Sequence, residues 1–177
     1  MNEQPINAGT RLISMFTDHI AMSMLAMIFA LPGMITTILS STQADGVATL
    51  NLLSGGNLFA VVGFAFYFLK DSIDGRGLGK RMFKMQVVVH DTGETAGPLR
   101  CMVRNVFTLL WPIEAIMVMA SPKRRLGDFV AGTSVELRDP EKPLMSIAWG
   151  QIGLAWLASY LVLLAPLYFL QTWVIGS

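Results

Sequence analysis

Apolar positions gather into long runs, separated by short basic or glycine-bearing connections. A helix that crosses a bilayer needs about 20 mostly apolar residues. Three runs meet that length: about Leu12 to Leu39, about Leu50 to Leu69, and about Leu144 to Ile175. The last is long enough to tilt or to bend at Pro166. Trp149, Trp156, Tyr160, Tyr168 and Trp173 lie along it, and the outermost of them suit the two membrane interfaces.

A fourth run, CMVRNVFTLLWPIEAIMVMA from Cys101 to Ala120, is less regular, because Arg104, Pro112 and Glu114 interrupt it. Two short β-branched runs flank it, MQVVVH (Met85–His90) and TSVEL (Thr133–Leu137), and the first leads into the turn signal DTGE. Lone strand edges are not tolerated in lipid, but two strands can pair at the membrane surface. Pairing requires both to lie on the same side.

Charge points the same way. Lys70, Arg76, Lys80, Arg81, Lys84, Arg100 and Arg104 precede or enter the fourth run, and Lys123, Arg124, Arg125, Arg138 and Lys142 follow it. No cation lies between Ser40 and Thr49. The positive-inside rule assigns both basic stretches to the cytoplasm. A single crossing by the fourth run would separate them, so it is expected to be a re-entrant or interfacial broken helix, kinked at Pro112. The expected fold is an all-α integral membrane protein with three transmembrane helices plus a re-entrant or fourth helix. A small two-stranded β element lies on the cytoplasmic side, with the N-terminus also inside. No internal repeat and no low-complexity segment are evident.

Composition agrees with a membrane protein. Of 177 residues, 53% are apolar and 14% charged, against roughly 25% charged in soluble domains. Mean hydropathy is +0.54. A net charge of +1 gives no reason to expect nucleic acid. Cys101 is the single cysteine, and His19 and His90 are the two histidines, so neither a disulfide nor a Cys/His metal cluster is expected. The first ten residues hold no Lys or Arg and the following apolar run exceeds a signal h-region, so it is expected to remain as an anchor.

The candidate chemistry begins at RLISMFTDHI. Arg11 and Asp18 are seven residues apart, which puts them near one helix face, two turns from each other. Arg11 is placed to snorkel. Asp18 is deeper, and intramembrane carboxylates face a bundle interior or a wet cavity and take a partner. It reads either as a cation or proton site tuned by His19 or a basic side chain, or as one half of a packing salt bridge to the basic module. His19, pointing elsewhere, reads as a hydrogen-bonded packing residue. Glu114 beside Pro112 either shares a cavity with Asp18 or reaches water. Asp128, after the basic triplet of SPKRRLGDFVAGTSVEL, reads as a turn cap or an arginine partner.

Glycines 75, 77 and 79 before Lys80 suggest a phosphate loop, but GxxxxGK[ST] is absent, since Arg81 follows Lys80. The stretch reads better as a tight turn at the membrane exit, with Lys80, Arg81 and Lys84 meeting anionic headgroups, as Arg124 and Arg125 would.

These motifs resemble the RDD family of small bacterial membrane proteins, named for an arginine and two aspartates. Arg11 and Asp18 match its opening pattern, and Asp128 in RRLGDFVAGTSVEL matches the second aspartate. GRGLGKRMFKMQVVVHDTGE and LRCMVRN match the segments between. The resemblance covers roughly residues 8–138, which implies an RDD-like membrane domain over 1–138 and a linker plus added helix over 139–177. It also implies a multi-pass protein of the bacterial inner membrane. Two functions follow. One is an accessory or scaffold subunit of a larger membrane complex, with Gly55, Gly56 and Ala60 providing a small-residue packing face. The other is a homodimeric cation/proton transporter of the Na+/H+ type, using Arg11, Asp18, Asp128 and Glu114. No cofactor, metal or enzymatic activity is expected. The expected partners are anionic lipid and either a complex or a second copy.

Overall fold

The computed structural model describes residues 6–43, 53–121, 123–141 and 143–176. The first apolar run forms α1 (Ala8–Gln43), 36 residues with Pro32 inside. The second forms α2 (Gly55–Phe68), whose N-cap Ser54 accepts from the Asn57 backbone N–H. At 14 residues, α2 is about 21 Å long, short of the roughly 30 Å hydrocarbon core. The expected span from Leu50 therefore shortens, and positions 50–52 lie outside the described residues. α1 and α2 cross closely at Gly33 and Gly56, where a Cβ on Gly56 would overlap the Gly33 backbone. Of the expected small-residue face, Gly56 lies at this crossing, while Gly55 meets nothing within 4 Å.

The connection after α2 turns through Lys70–Gly77 into a single-turn helix, α3 (Leu78–Met82), then strand β1 (Met85–Val89). The fourth apolar run becomes α4 (Pro98–Val106), a 3₁₀ turn over Phe107–Leu110, and α5 (Trp111–Ala120). The break precedes Pro112, which sits in the first turn of α5, where its missing N–H costs nothing. Then come α6 (Leu126–Ala131), β2 (Thr133–Leu137) and the long α7 (Trp149–Gly176). Among the described residues, three helical stretches are long and apolar enough to cross a membrane: Ala8–Leu39, Pro98–Ala120 and Trp149–Trp173.

β1 and β2 pair antiparallel, with Val87 opposite Val135 at the centre. The connections on either side of Pro98–Ala120 therefore meet. One apolar cluster, Met85, Val87, Ala96, Cys101 and Val135, lies under this ribbon. A second, Tyr67, Phe68, Leu69, Met102 and Ala155, joins α2, α4 and α7.

The ribbon reveals an internal repeat that its side chains obscure. Residues 75–90 and 123–138 run through the same course, turn, short helix, strand, related by a pseudo-twofold at the Val87–Val135 pair. The backbone bonds recur in register: Val87 N–H to Gly75 O (2.9 Å) and Val135 N–H to Lys123 O (3.0 Å). Across the ribbon, His90 N–H donates to Gly132 O (3.0 Å) and Arg138 N–H to Lys84 O (2.7 Å). Both short helices end in a left-handed residue, Lys84 (φ 52°) and Gly132 (φ 64°). Identity is thin, chiefly Arg76-x-Leu78-Gly79 against Arg124-x-Leu126-Gly127, with Val87 and Val135. The expectation of no repeat is thereby corrected, because backbone geometry recurs where few side chains do.

Candidate functional site

The repeat explains how the polar residues meet. Gly79 and Gly127 are equivalent, and each lets a short helix touch a long one. A Cβ on Gly79 would overlap the Ser14 carbonyl oxygen of α1, and one on Gly127 would overlap the Arg104 carbonyl oxygen of α4. Each contact aims a helix N-terminus at a carboxylate on a long apolar element. Gly79 N–H donates to Asp18 Oδ1 (2.7 Å), and Gly127 N–H donates to Glu114 Oε1 (2.8 Å). Backbone N–H groups at helix starts lack intrahelical acceptors and favour anions. The glycine turn before Lys80 thus does cradle an anion, and that anion is the protein's own aspartate.

Each short helix also brings a cation to its carboxylate. Lys80 Nζ lies 2.7 Å from Asp18 Oδ2 and 2.8 Å from Asp71 Oδ1, and Arg125 Nε lies 2.9 Å from Glu114 Oε2. Asp71 also faces Arg104 (3.5 Å) and accepts from the Gly77 N–H (2.9 Å). Asp128 collects three arginines: Arg104 (2.8 Å), Arg11 (3.4 Å) and Arg125 (3.8 Å). It also accepts from the Arg125 backbone N–H and the Thr133 hydroxyl. Arg125 further donates to Asn105 Oδ1, and Asn105 donates to Phe68 O. Every charged member of this network is buried. An ion deprived of water survives only with partners, and removing one partner is costly.

Burial alone would raise the Asp128 and Asp71 carboxyls. For Asp128 the field of Arg104, Arg125 and Arg11 more than offsets this and holds it below the ordinary carboxylate range. For Asp71, Lys80, Arg104 and Lys70 do the same.

The sequence-derived set is partly regrouped. Arg11 does not snorkel; it is buried and pairs with Asp128, not with Asp18. Asp18 has Lys80 as its cation, and His19 instead shares a hydrogen bond with Tyr67 Oη (2.5 Å). Glu114 belongs to Arg125 and the α6 N-terminus, not to a cavity with Asp18. Lys80 and Arg125 leave the headgroup set, because both are buried in ion pairs. Arg81 and Lys84 remain exposed, and Arg124 stacks over Phe129 (4.2 Å). Asp71, Arg104 and Asn105 were not singled out. Asp71 opens the glycine turn as an acid beside Lys70, a weak local signal; Arg104 interrupts the fourth apolar run, and with Asn105 it lies in the motif LRCMVRN.

A model of the RDD family matches residues 6–170. The chain belongs to the RDD family. No curated protein and no solved structure matches it. The family match runs well into α7, beyond the 8–138 over which the motifs resemble the family. In this RDD protein the arginine and the two aspartates of the name are not one triad. Arg11 and Asp128 are bonded to each other, while Asp18 joins them only through Lys80, Asp71 and Arg104. Among the described residues, no group of three or more His, Cys, Asp or Glu is arranged to hold a metal ion.

Proposed function

We propose that this protein is a non-catalytic accessory or scaffold subunit of a bacterial inner-membrane complex. Its N-terminus and ribbon module lie on the cytoplasmic side, where the density of Lys and Arg favours them. One observation carries the reading: each of the four carboxylates in this buried network already holds protein donors. Asp18 has Lys80 and an amide; Asp71 has Lys80, Arg104 and an amide; Glu114 has Arg125 and an amide; Asp128 has three arginines. Hard cations bind through several free oxygens, and these oxygens are spent on locking the helices to the module. The long helices meanwhile present unbroken apolar faces, such as Met24, Met27, Ile28 and Leu31 on α1. Such faces suit lipid or partner helices. Arg81 and Lys84 would meet anionic headgroups. Purification in mild detergent tests the reading: a large stoichiometric membrane partner is expected, and a protein that migrates only as a self-dimer refutes it.

A homodimeric cation/proton transporter is the second reading. It is favoured by Asp18 and Asp71 sharing one ammonium, Lys80. Withdrawal of Lys80 would leave two carboxylates facing each other for a monovalent cation. Proteoliposomes of the wild type and Asp18→Asn decide it. Sodium-driven proton flux lost in the variant supports transport, and no flux under any sodium or proton gradient ends that reading.

A further inference from the structure

Five cations and four acids meet at this site: Arg11, Lys70, Lys80, Arg104 and Arg125 against Asp18, Asp71, Glu114 and Asp128, all buried. Four of the cations have a carboxylate within ion-pair distance. The fifth, Lys70, has none among the described residues. It lies one residue past the C-cap of α2 and is 8% exposed, and among the described residues its Nζ has no hydrogen-bond acceptor. Nζ lies over the face of the Tyr67 ring, 4.8 Å from the centroid. A buried ammonium without an anion is expensive, and a π face offsets only part of that cost. An amine can escape the cost in a way that a guanidinium cannot, by releasing its proton.

We propose that Lys70 Nζ is a proton-binding site, and that its occupancy switches the buried network between net neutral and singly positive. This goes beyond the scaffold reading and holds whether or not the protein transports an ion. The amine takes one proton to become the ammonium, and nothing else in the network need change partners. Around it stand Arg125 from the start of α6, Lys80 from α3, Asp71 from the turn, Asp18 from α1 and Tyr67 from α2. Desolvation is the largest influence, followed by repulsion from Arg125; Asp71 opposes it, Lys80 adds to it and Asp18 opposes it. Together they bring the group from an ordinary lysine value down to about 7. Tyr67 in turn holds His19 at 2.5 Å. His19 lines a cavity of about 90 Å³ with Thr108, whose buried hydroxyl has no partner among the described residues, and with Met15, Phe16 and Trp111. That cavity has the room and two of the polar groups that water requires, and it lies one hydrogen bond from the ring under Lys70.

The chain has five lysines, Lys70, Lys80, Lys84, Lys123 and Lys142. Replacing Lys84, Lys123 and Lys142 by arginine leaves two, and ¹³C-labelled lysine then gives two side-chain signals to titrate in lipid nanodiscs. One signal with a midpoint near pH 7 that vanishes in Lys70→Met is the expected result, against about 10.4 for a free lysine. Tyr67→Phe keeps the ring and should leave the midpoint in place. Tyr67→Leu removes the π face and should lower it by about half a unit to one and a half units. A thermal melt gives an independent readout. A lysine whose folded value lies below its unfolded one costs stability fully below pH 7 and not at all above the unfolded value. Lys70→Met should therefore raise Tm at pH 6 more than at pH 10. If neither lysine signal titrates below pH 9, or if the low-pH signal survives Lys70→Met, the proposal is wrong. Equal Tm changes at the two pH values would also overturn it.

Discussion

The two halves of the ribbon module share a backbone but carry opposite charges at the position that meets the buried network. At equivalent helix positions, residues 75–90 carry Lys80 and residues 123–138 carry Asp128. The first half brings a cation to an acid of α1. The second brings an acid to arginines of α1 and α4, while Arg125 beside it serves Glu114. Asp71 and Arg104 close the chain between them. A repeated frame with unlike charges can satisfy itself across the pseudo-twofold, whereas a repeat with identical charges would place like beside like. That complementarity is what makes so many ions tolerable away from water.

The comparison also ranks the two halves. Asp128 neutralises three buried arginines and Asp18 one shared lysine. Asp128→Asn should therefore be the most damaging change, costing about 3–5 kcal/mol, read as loss of a monodisperse peak or a large drop in Tm. Because the Asp128 carboxyl is held low, its contribution is present above the unfolded carboxylate value of about 3.9 and is lost as pH falls below it. Wild type should thus lose stability on acidification more steeply than the variant does. The glycine pair comes next. Gly79→Ala and Gly127→Ala should each cost about 3 kcal/mol, since backbone carbonyl, not a movable side chain, occupies the space. Gly55→Ala, with nothing within 4 Å, is the neutral control. A harmless Gly79→Ala beside a damaging Gly127→Ala would break the equivalence of the two contacts.

Asp18→Asn should cost about 1–3 kcal/mol. The amide oxygen still accepts from Gly79, and Lys80 keeps Asp71. A loss equal to that of Asp128→Asn would show that the halves carry equal weight. The smallest effects belong to the outer cations. Arg81→Gln and Arg124→Gln should each change stability by less than about 1 kcal/mol. Arg81 reaches only backbone carbonyls, and Arg124 rests on Phe129. Adding Lys84→Gln to Arg81→Gln should reduce the anionic lipid that co-purifies, as measured by mass spectrometry.

Legibility followed the length scale of each signal. Long apolar runs identify α1 and α7 directly, because burial in lipid depends on composition over 20 residues. The strands were readable because β-branched runs next to turn signals report local preference. The second run overreached, since apolar residues continue past the point where the chain must turn. The repeat is hard to read in the sequence because it recurs mainly in backbone bonds, with few identical side chains beyond Arg76-x-Leu78-Gly79 and Arg124-x-Leu126-Gly127. Arg11, Asp18, Glu114 and Asp128 were recognisable as costly residues in apolar surroundings. Their pairing was not, because residues 62 and 117 positions apart meet only after the ribbon closes.

By itself, the amino-acid sequence determined that this chain is apolar and helical, with a short two-stranded ribbon and a set of polar residues too expensive to be incidental. Hydrophobic content and local propensity are additive along a chain, so no contact needs to be known. Only the tertiary structure decided that Arg11 answers Asp128, that Lys80 answers Asp18, and that Lys70 answers no acid among the described residues. Ion pairing depends on distances of a few ångströms between remote segments, and the two glycine contacts of the folded repeat set those distances.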